Sequence, residues 1–181
     1  LSLSLSLSLS LSLAGFRQSH STIDHLVTLR VLMEESWLKG KGLYCCFVDF
    51  KKAFDTIPRD NLWRRMEELQ VPSEYMHAIS RIYEKVICWV RLGEEISNIF
   101  SSNIGVKQGC PLSPTLFGLY IDEVADFIIR GGGGGVDISG TPVHIMLYAD
   151  DIILVSESQE GLQLHLQALD DFCQGYEISY F

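Results

Sequence analysis

The apolar residues of this chain recur at two spacings, one typical of helices and one typical of buried strands. Helical spacing first appears at Ile23, Leu26, Val27 and Val31, which predicts a helix over about residues 22–38. Similar patterns predict four more helices. One follows Pro58 and carries Leu62, Met66 and Leu69, and one follows Pro72-Ser73 and carries Met76, Ile79 and Tyr83. A third has Ser113 as N-cap, Pro114 at the first helical position and an apolar stripe from Leu116 to Ile128, and the last covers about residues 158–173.

Short apolar runs bounded by turn residues predict buried strands. GLYCCFVDF (42–50) is such a run, and Asp49 lies near its carboxyl end. In LYADDIILVS (147–156) two apolar strands meet around Ala-Asp-Asp, which predicts a hairpin tip. A second hairpin is predicted over 86–102, turning at 93–95. Because strands and helices are mixed without a regular βαβ alternation, we expect an α+β fold with an antiparallel sheet.

Two segments of biased composition bear on domain organisation. The chain begins with LSLSLSLSLSLSLAGF, in which leucine and serine alternate. The period would suit a half-buried strand, but repetition of one dipeptide indicates a translated simple repeat or a truncated start, so we expect residues 1–15 to lie outside the fold. Five consecutive glycines at 131–135 fit either a loop or a domain linker, and too little chain follows for an independent domain.

Composition excludes several classes of protein. The 181 residues are 47% hydrophobic, which suits one domain with a sizeable core, and the net charge of −9 argues against a free-standing nucleic-acid binder. The five cysteines form no C-x-x-C pair, so a zinc site is not indicated and an intracellular protein with reduced thiols is expected. No apolar run reaches the roughly 18 residues that a membrane-spanning helix needs.

The candidate chemistry lies in the aspartates at the strand ends. Asp150 and Asp151 interrupt an apolar run, and buried carboxylates are unfavourable unless they are paired, hydrogen-bonded or bound to a cation. An exposed aspartate-rich turn and a carboxylate aimed into a cleft both fit this stretch alone. Asp49 ends a second apolar strand, and oxygen ligands from two strand ends are what a hard cation such as Mg²⁺ requires.

Four ordered motifs then give a resemblance to a known family. The segments FVDFKKAFDTI (47–57), GVKQGCPLSPTLF (105–117) and LYADDIILVS (147–156) resemble motifs A, B and C of reverse transcriptases. FRQSHSTIDHLVTLR (16–30) resembles the fingers segment of non-LTR, LINE-like retrotransposon enzymes. The resemblance implies an RNA-directed DNA polymerase with a right-hand palm and partial fingers over residues 16–175, followed by a tail at 176–181.

The resemblance also implies roles for individual residues. Asp49, Asp150 and Asp151 match the catalytic carboxylates and, with the backbone carbonyl of Phe50, the ligands of Mg²⁺ or Mn²⁺. The resemblance also implies nucleotide binding by Arg17, Phe54, Gln108 and Gly109, with Phe54 at the sugar 2′ position. It implies that Tyr148 supports the primer end. The implied partners are an RNA template, a DNA primer and deoxynucleoside triphosphates, without a membrane, and a working element would act in the nucleus.

Departures from the family pattern mark what we expect this chain to lack. Ser19 and His20 stand where the family has a glycine and a basic residue. GYEISYF, at the end of the chain, has no counterpart of the family lysine near the triphosphate, and we expect no thumb. An acidic palm-centred fragment would bind nucleic acid weakly by itself. Two alternatives therefore stay open: an inactive retroelement relic, and a metal-dependent phosphatase or nuclease that uses the same carboxylates.

Overall fold

The computed structural model describes residues 22–181, which form mixed helices and antiparallel strands and confirm the α+β prediction. The helices are α1 (Thr22–Leu38), α2 (Ala53–Thr56), α3 (Arg59–Glu68), α4 (Ser73–Tyr83), α5 (Ser113–Tyr120), α6 (Val124–Arg130) and α7 (Gln159–Tyr176). The strands are β1 (Tyr44–Asp49), β2 (Ile87–Cys88), β3 (Arg91–Leu92), β4 (Glu95–Ile96), β5 (Phe100–Ser101), β6 (Val136–Ile138), β7 (Thr141–Val143), β8 (Ile145–Tyr148) and β9 (Asp151–Ser156). No helix in this part of the chain is long and apolar enough to cross a membrane.

The chain divides into two compact units. The first contains the described residues 22–53 together with 121–181, and the second is Phe54–Tyr120. In the first unit, β1, β9 and β8 form a three-stranded antiparallel sheet in that order. Its register sets Val48 opposite Ile152 and Ile152 opposite Leu147, and all three side chains are buried.

The two faces of this sheet are covered by different elements. On one face, Met146 and Val155 form a buried cluster with Leu32 of α1 and Val136 of β6. The other face carries the row from Val48 to Leu147, and α7 packs along β1 and β9 there. Because neighbouring residues of a strand face opposite sides, the continuous apolar runs of β8 and β9 fill both layers.

The hairpin between β8 and β9 confirms the turn that the sequence predicts at Ala-Asp-Asp. Tyr148 pairs with Asp151, which leaves Ala149 and Asp150 as a two-residue turn. Ala149 has a φ of 55°, whereas Asp150 does not have a positive φ. A positive φ at the first turn residue only is the pattern of a type II′ turn, which normally takes glycine there.

The five-glycine segment is a loop packed on α7, which confirms the loop interpretation. A Cβ on Gly133 would lie 2.2 Å from the carbonyl oxygen of Gly161, and one on Gly131 would lie 2.7 Å from the Cβ of Ala168. Ser158 is the N-cap of α7, and its hydroxyl accepts a hydrogen bond from the Gly161 amide at 2.9 Å. The glycines therefore allow two backbone segments to approach closely.

In the second unit, α3 packs against α4 and α5, and two short ribbons pair β2 with β5 and β3 with β4. The predicted turn near Gly93 is confirmed, because Leu92 pairs with Glu95. Arg59 holds the segment 102–105 in place, because its guanidinium donates to the carbonyl oxygens of Gly105 and Ser102, each at 2.8 Å.

The helix predicted after Ser113 differs from the prediction in two ways. The apolar stripe is divided between α5 and α6 by a break at 121–123, where the Val124 amide donates to the Ile121 carbonyl. Buried residues keep their helical spacing across the break, so periodicity did not reveal it. Ser113 is the first helical residue and not the N-cap, and its hydroxyl donates to the Lys107 carbonyl at 2.6 Å. At α4, Pro72 is the N-cap position and Ser73 lies inside the helix.

Two histidines of the first unit meet beneath the glycine loop. Nδ1 of His144 lies 3.4 Å from Nε2 of His165, and the His165 side chain is completely buried. Burial lowers the pKa of His144, and burial followed by the nearby His144 lowers the pKa of His165. The folded protein therefore favours the neutral form of both rings.

This histidine pair predicts a loss of stability in mild acid. Unfolded histidine titrates near 6.5, so below that pH the unfolded chain binds more protons than the folded one and the free energy of unfolding falls. Each unit of pKa difference contributes about 1.4 kcal/mol. Urea unfolding between pH 7.5 and 5.5 measures the effect. His165→Gln is expected to flatten the pH dependence, whereas the exposed His77→Gln leaves it as in the wild type; equal curves for all three proteins would contradict the assignment.

A second prediction concerns the hairpin turn. Ala149→Val places a β-branched, larger side chain at a buried left-handed position, and we expect it to destabilise the protein by about 1–3 kcal/mol. Ala149→Gly relieves the left-handed conformation and is expected to remain within about 1 kcal/mol of the wild type. Urea denaturation measures both, with Ala78→Val on the exposed surface of α4 as the matched control. Equal losses for valine and glycine at 149 would argue against the turn geometry.

Candidate active site

A row of polar side chains crosses the end of the three-stranded sheet. Asp49 of β1 is directly opposite Asp151 of β9, and Asp151 is directly opposite Tyr148 of β8. Directly opposed residues of antiparallel strands lie on the same face, with Cβ atoms about 4.5–5.5 Å apart. The register therefore brings together two of the three predicted catalytic carboxylates and the predicted primer-end tyrosine.

Asp150 and Phe50 complete this end of the sheet. The Phe50 amide donates to the backbone carbonyl of Asp150 at 3.2 Å, which ties the end of β1 to the hairpin turn. The Phe50 side chain is buried in the core, so its predicted role rests on the backbone alone. Asp150 occupies the turn and is half-buried. All four predicted metal-ligating residues thus lie within one stretch of paired backbone.

The carboxylates interact electrostatically. Partial burial raises the pKa of Asp151, and the neighbouring charges of Asp150 and Asp49 raise it further. Asp49 and Asp151 are exposed at the surface, whereas Asp150 in the turn is half-buried. The neighbouring like charges add to the effect of burial at Asp151, and a bound cation would relieve that repulsion.

The donor set suits a hard cation, although the side chains are not gathered around one point. Within residues 22–181, no group of three or more histidine, cysteine, aspartate or glutamate side chains is arranged to hold a metal ion. Carboxylate and backbone carbonyl oxygens are the ligands that Mg²⁺ takes in proteins. Because Asp49 and Asp151 are exposed, their side chains can change rotamer on the nanosecond timescale.

An apolar groove of about 560 Å³ adjoins the carboxylates. Phe47 and Phe181, both strongly exposed, line it together with Leu26 and Tyr148. The Tyr148 ring meets His25 of α1 edge to face at 6.0 Å. The sequence patterns gave no sign of this groove, because its walls come from the start of α1, the sheet and the end of the chain.

The last residues of the chain contact β1, a feature that the motif patterns did not indicate. Phe50 pairs antiparallel with Tyr180, and the Phe181 amide donates to the Asp49 carbonyl at 3.0 Å. The Tyr180 hydroxyl donates to Asp170 of α7 at 3.0 Å. This segment, predicted as a tail at 176–181, therefore lies against the end of β1 through one isolated bridge and one hydrogen bond.

The predicted nucleotide-binding residues Phe54, Gln108 and Gly109 belong to the second unit. The Phe54 ring stacks on the buried ring of Phe117, with 5.0 Å between centroids. Gly109 has a φ of 79°, and no atom lies within 4 Å of a Cβ placed on it, so the backbone conformation is what requires glycine there. Arg17, Ser19 and His20 lie outside the described residues.

Gln108 is held by a residue that was left out of the predicted catalytic set. Its Nε2 donates to both carboxylate oxygens of Asp55, at 3.0 and 3.1 Å. The sequence offers one signal, since Asp55 lies in the motif A segment FVDFKKAFDTI (47–57), although a turn residue before Pro58 fits that position equally well.

Comparison with known proteins identifies the family. Residues 4–180 match the family described as reverse transcriptase (RNA-dependent DNA polymerase). The chain is 28% identical over 142 residues to the "Retrovirus-related Pol polyprotein from type-1 retrotransposable element R2" of Nasonia vitripennis, covering 78% of this chain and 14% of the relative. It is 26% identical over 171 residues to the "RNA-directed DNA polymerase from mobile element jockey" of Drosophila funebris, covering 91% of this chain and 18% of that relative.

Solved structures agree at the level of the fold. Apo telomerase from Candida tropicalis, truncated from its C-terminal domain, superposes with a TM-score of 0.65 at 14% identity, covering 97% of this chain and 37% of that one. Telomerase from Candida albicans, in complex with a fragment of telomeric RNA, superposes with a TM-score of 0.66 at 14% identity, covering 97% of this chain and 33% of that one. The chain spans less than a quarter of the length of the R2 and jockey proteins. It belongs to the reverse transcriptase family, in the branch carried by non-LTR retrotransposons.

Proposed function

We propose that this chain is the fingers and palm part of an RNA-directed DNA polymerase that extends a DNA primer with deoxynucleotides on an RNA template. The observation that carries the proposal is the pairing of Asp49 with Asp151 beside the turn that contains Asp150. In this proposal the sheet of β1, β9 and β8 with α7 is the palm, and residues 16–175 make up the domain. Protein relatives of the same family support the assignment.

The carboxylates provide the means of holding divalent cations. Asp49, Asp150 and Asp151, with the Phe50 carbonyl, would hold two Mg²⁺ ions, for which Mn²⁺ is a substitute. Such ions would activate an attacking hydroxyl and stabilise the departing oxygen. A cation would also relieve the repulsion that raises the pKa of Asp151.

In the reaction, the primer 3′-hydroxyl gives up its proton to water, and its oxygen attacks the α-phosphate of the nucleotide. A new phosphodiester bond forms, and the bond to pyrophosphate breaks. Positioning and charge stabilisation provide most of the acceleration in phosphoryl transfer, so the chain needs no dedicated general base. Tyr148, at the end of the carboxylate row, supports the primer end, and Phe54, Gln108 and Gly109 contact the nucleotide.

The primary test is primer extension on poly(A)/oligo(dT) with Mg²⁺. Asp150→Asn removes one negative charge from the metal ligands, and we expect incorporation to fall by about 100-fold or more. Asp126→Asn, at an exposed position of α6, is the matched control and should incorporate like the wild type. Wild-type rates in Asp150→Asn would refute the metal assignment. No incorporation by the wild type at any protein concentration would favour an inactive relic.

A separate prediction concerns sugar selection. The stack on Phe117 holds the Phe54 ring, and a ring against the sugar excludes a 2′-hydroxyl by contact. Phe54→Val should therefore raise the relative kcat/KM for ribonucleotides over deoxynucleotides by about 10- to 100-fold, as expected for a pocket that gains room for a small group. Single-nucleotide incorporation measures the ratio, with Phe100→Val as the exposed control. An unchanged ratio would assign Phe54 to packing alone.

A further inference from the structure

The side chain of Gln108 has a defined orientation because of Asp55. A single amide nitrogen, Nε2, donates to both carboxylate oxygens, at 3.0 and 3.1 Å. An ionised carboxylate only accepts hydrogen bonds, so only the nitrogen end of the amide can face it. The Oε1 atom of Gln108 is consequently turned away from Asp55.

The backbone around this pair fixes the position of the carboxylate. The Val106 amide donates to the Phe54 carbonyl at 2.7 Å, and the Gly105 amide donates to the Ile57 carbonyl at 2.8 Å. A Cβ on Gly105 would lie 2.5 Å from the Asp55 carbonyl oxygen. Backbone hydrogen bonds at Phe54 and Ile57, before and after Asp55, thus join its segment to the loop that carries Gln108.

The contact between the two side chains contributes little to the core. Asp55 and Gln108 are both exposed, whereas Gly105 and Val106 beside them are buried. Backbone hydrogen bonds and buried residues already join the two segments, so the carboxylate is not needed to hold the loop on the fold. Its specific effect is on the orientation of the Gln108 amide.

We propose that Asp55 is a positioning residue that orients Gln108 toward the nucleotide with its oxygen leading. This proposal rests on the nucleotide-binding role proposed for Gln108. An amide oxygen accepts hydrogen bonds and cannot donate them. The nucleotide group that meets Oε1 of Gln108 is therefore a donor, a hydroxyl or an amino group, and not a phosphate oxygen. Asp55 excludes the opposite orientation, in which the amide nitrogen would face the nucleotide.

Steady-state kinetics with the full chain test this role. Asp55→Asn allows either orientation of the Gln108 amide, and Asp55→Ala removes the contact. We expect the KM for deoxynucleotide to rise by about three- to tenfold, more for alanine than for asparagine, with kcat changed by less than about threefold. In a Gln108→Ala background, Asp55→Asn should have no further effect, because contacting residues are non-additive. An unchanged KM, or additive effects, would overturn the proposal.

The matched control is a second exposed pair of the same chemistry. On α7, Nε2 of Gln167 donates to Oδ1 of Asp171 at 3.1 Å, and Asp171→Asn should leave KM unchanged. A measurement that needs no activity is the ¹⁵N NMR signal of the Gln108 side-chain amide. It should shift in Asp55→Asn and not in Asp171→Asn, and an unchanged signal in Asp55→Asn overturns the proposal.

The two failures can be told apart. A wild-type chain that extends no primer, while the Gln108 signal still shifts in Asp55→Asn, overturns the proposed function and supports the orientation of Gln108 by Asp55. A wild-type chain that extends primers while Asp55→Asn retains the wild-type KM overturns the positioning role and supports the proposed function.

Discussion

The candidate metal site depends on the register between β1 and β9. Side chains alternate between faces along a strand, so a shift of one residue would move Asp49 to the face that α7 covers. The observed register keeps Asp49 and Asp151 opposed, and the hydrogen bond from the Phe50 amide to the Asp150 carbonyl fixes the last pair. A single alignment of two strands therefore decides both what the core buries and which carboxylates meet.

Packing on both faces holds this alignment. The row of Val48, Ile152 and Leu147 is buried on one face, and Met146 and Val155 are buried with α1 and β6 on the other. Any slip would expose one of these layers, and each Å² of apolar surface returned to water would lower the free energy of unfolding by about 25 cal/mol. The acidic residues lie at the end of the strands where burial stops, so the core specifies their positions without enclosing them.

Local patterns in the sequence were sufficient for the elements and the hairpin, and insufficient for contacts between distant segments. The bounds of α1, the strand ending at Asp49 and the turn at Ala149 followed from periodicity and turn chemistry. The break between α5 and α6 did not, because the apolar spacing continues through it. The pairing of Tyr180 with Phe50 joins segments 130 positions apart and has no local signature. Likewise, the resemblance to motif B implies a role for Gln108 but gives no sign of its contact with Asp55.

Three departures from ordinary local preferences occur together at one end of the sheet. Like charges oppose each other across β1 and β9, a non-glycine residue adopts a left-handed conformation in the turn, and Phe47 and Phe181 are 67% and 74% exposed. Opposed like charges and left-handed alanine each destabilise a fold, and exposed aromatic rings add nothing to its core. Such departures persist where function requires them, and elsewhere in the sheet the same strands follow the rules closely. Stability alone would favour a lysine opposite Asp151 and a glycine at 149. The residues present therefore support the proposal that a cation binds at this end of the sheet.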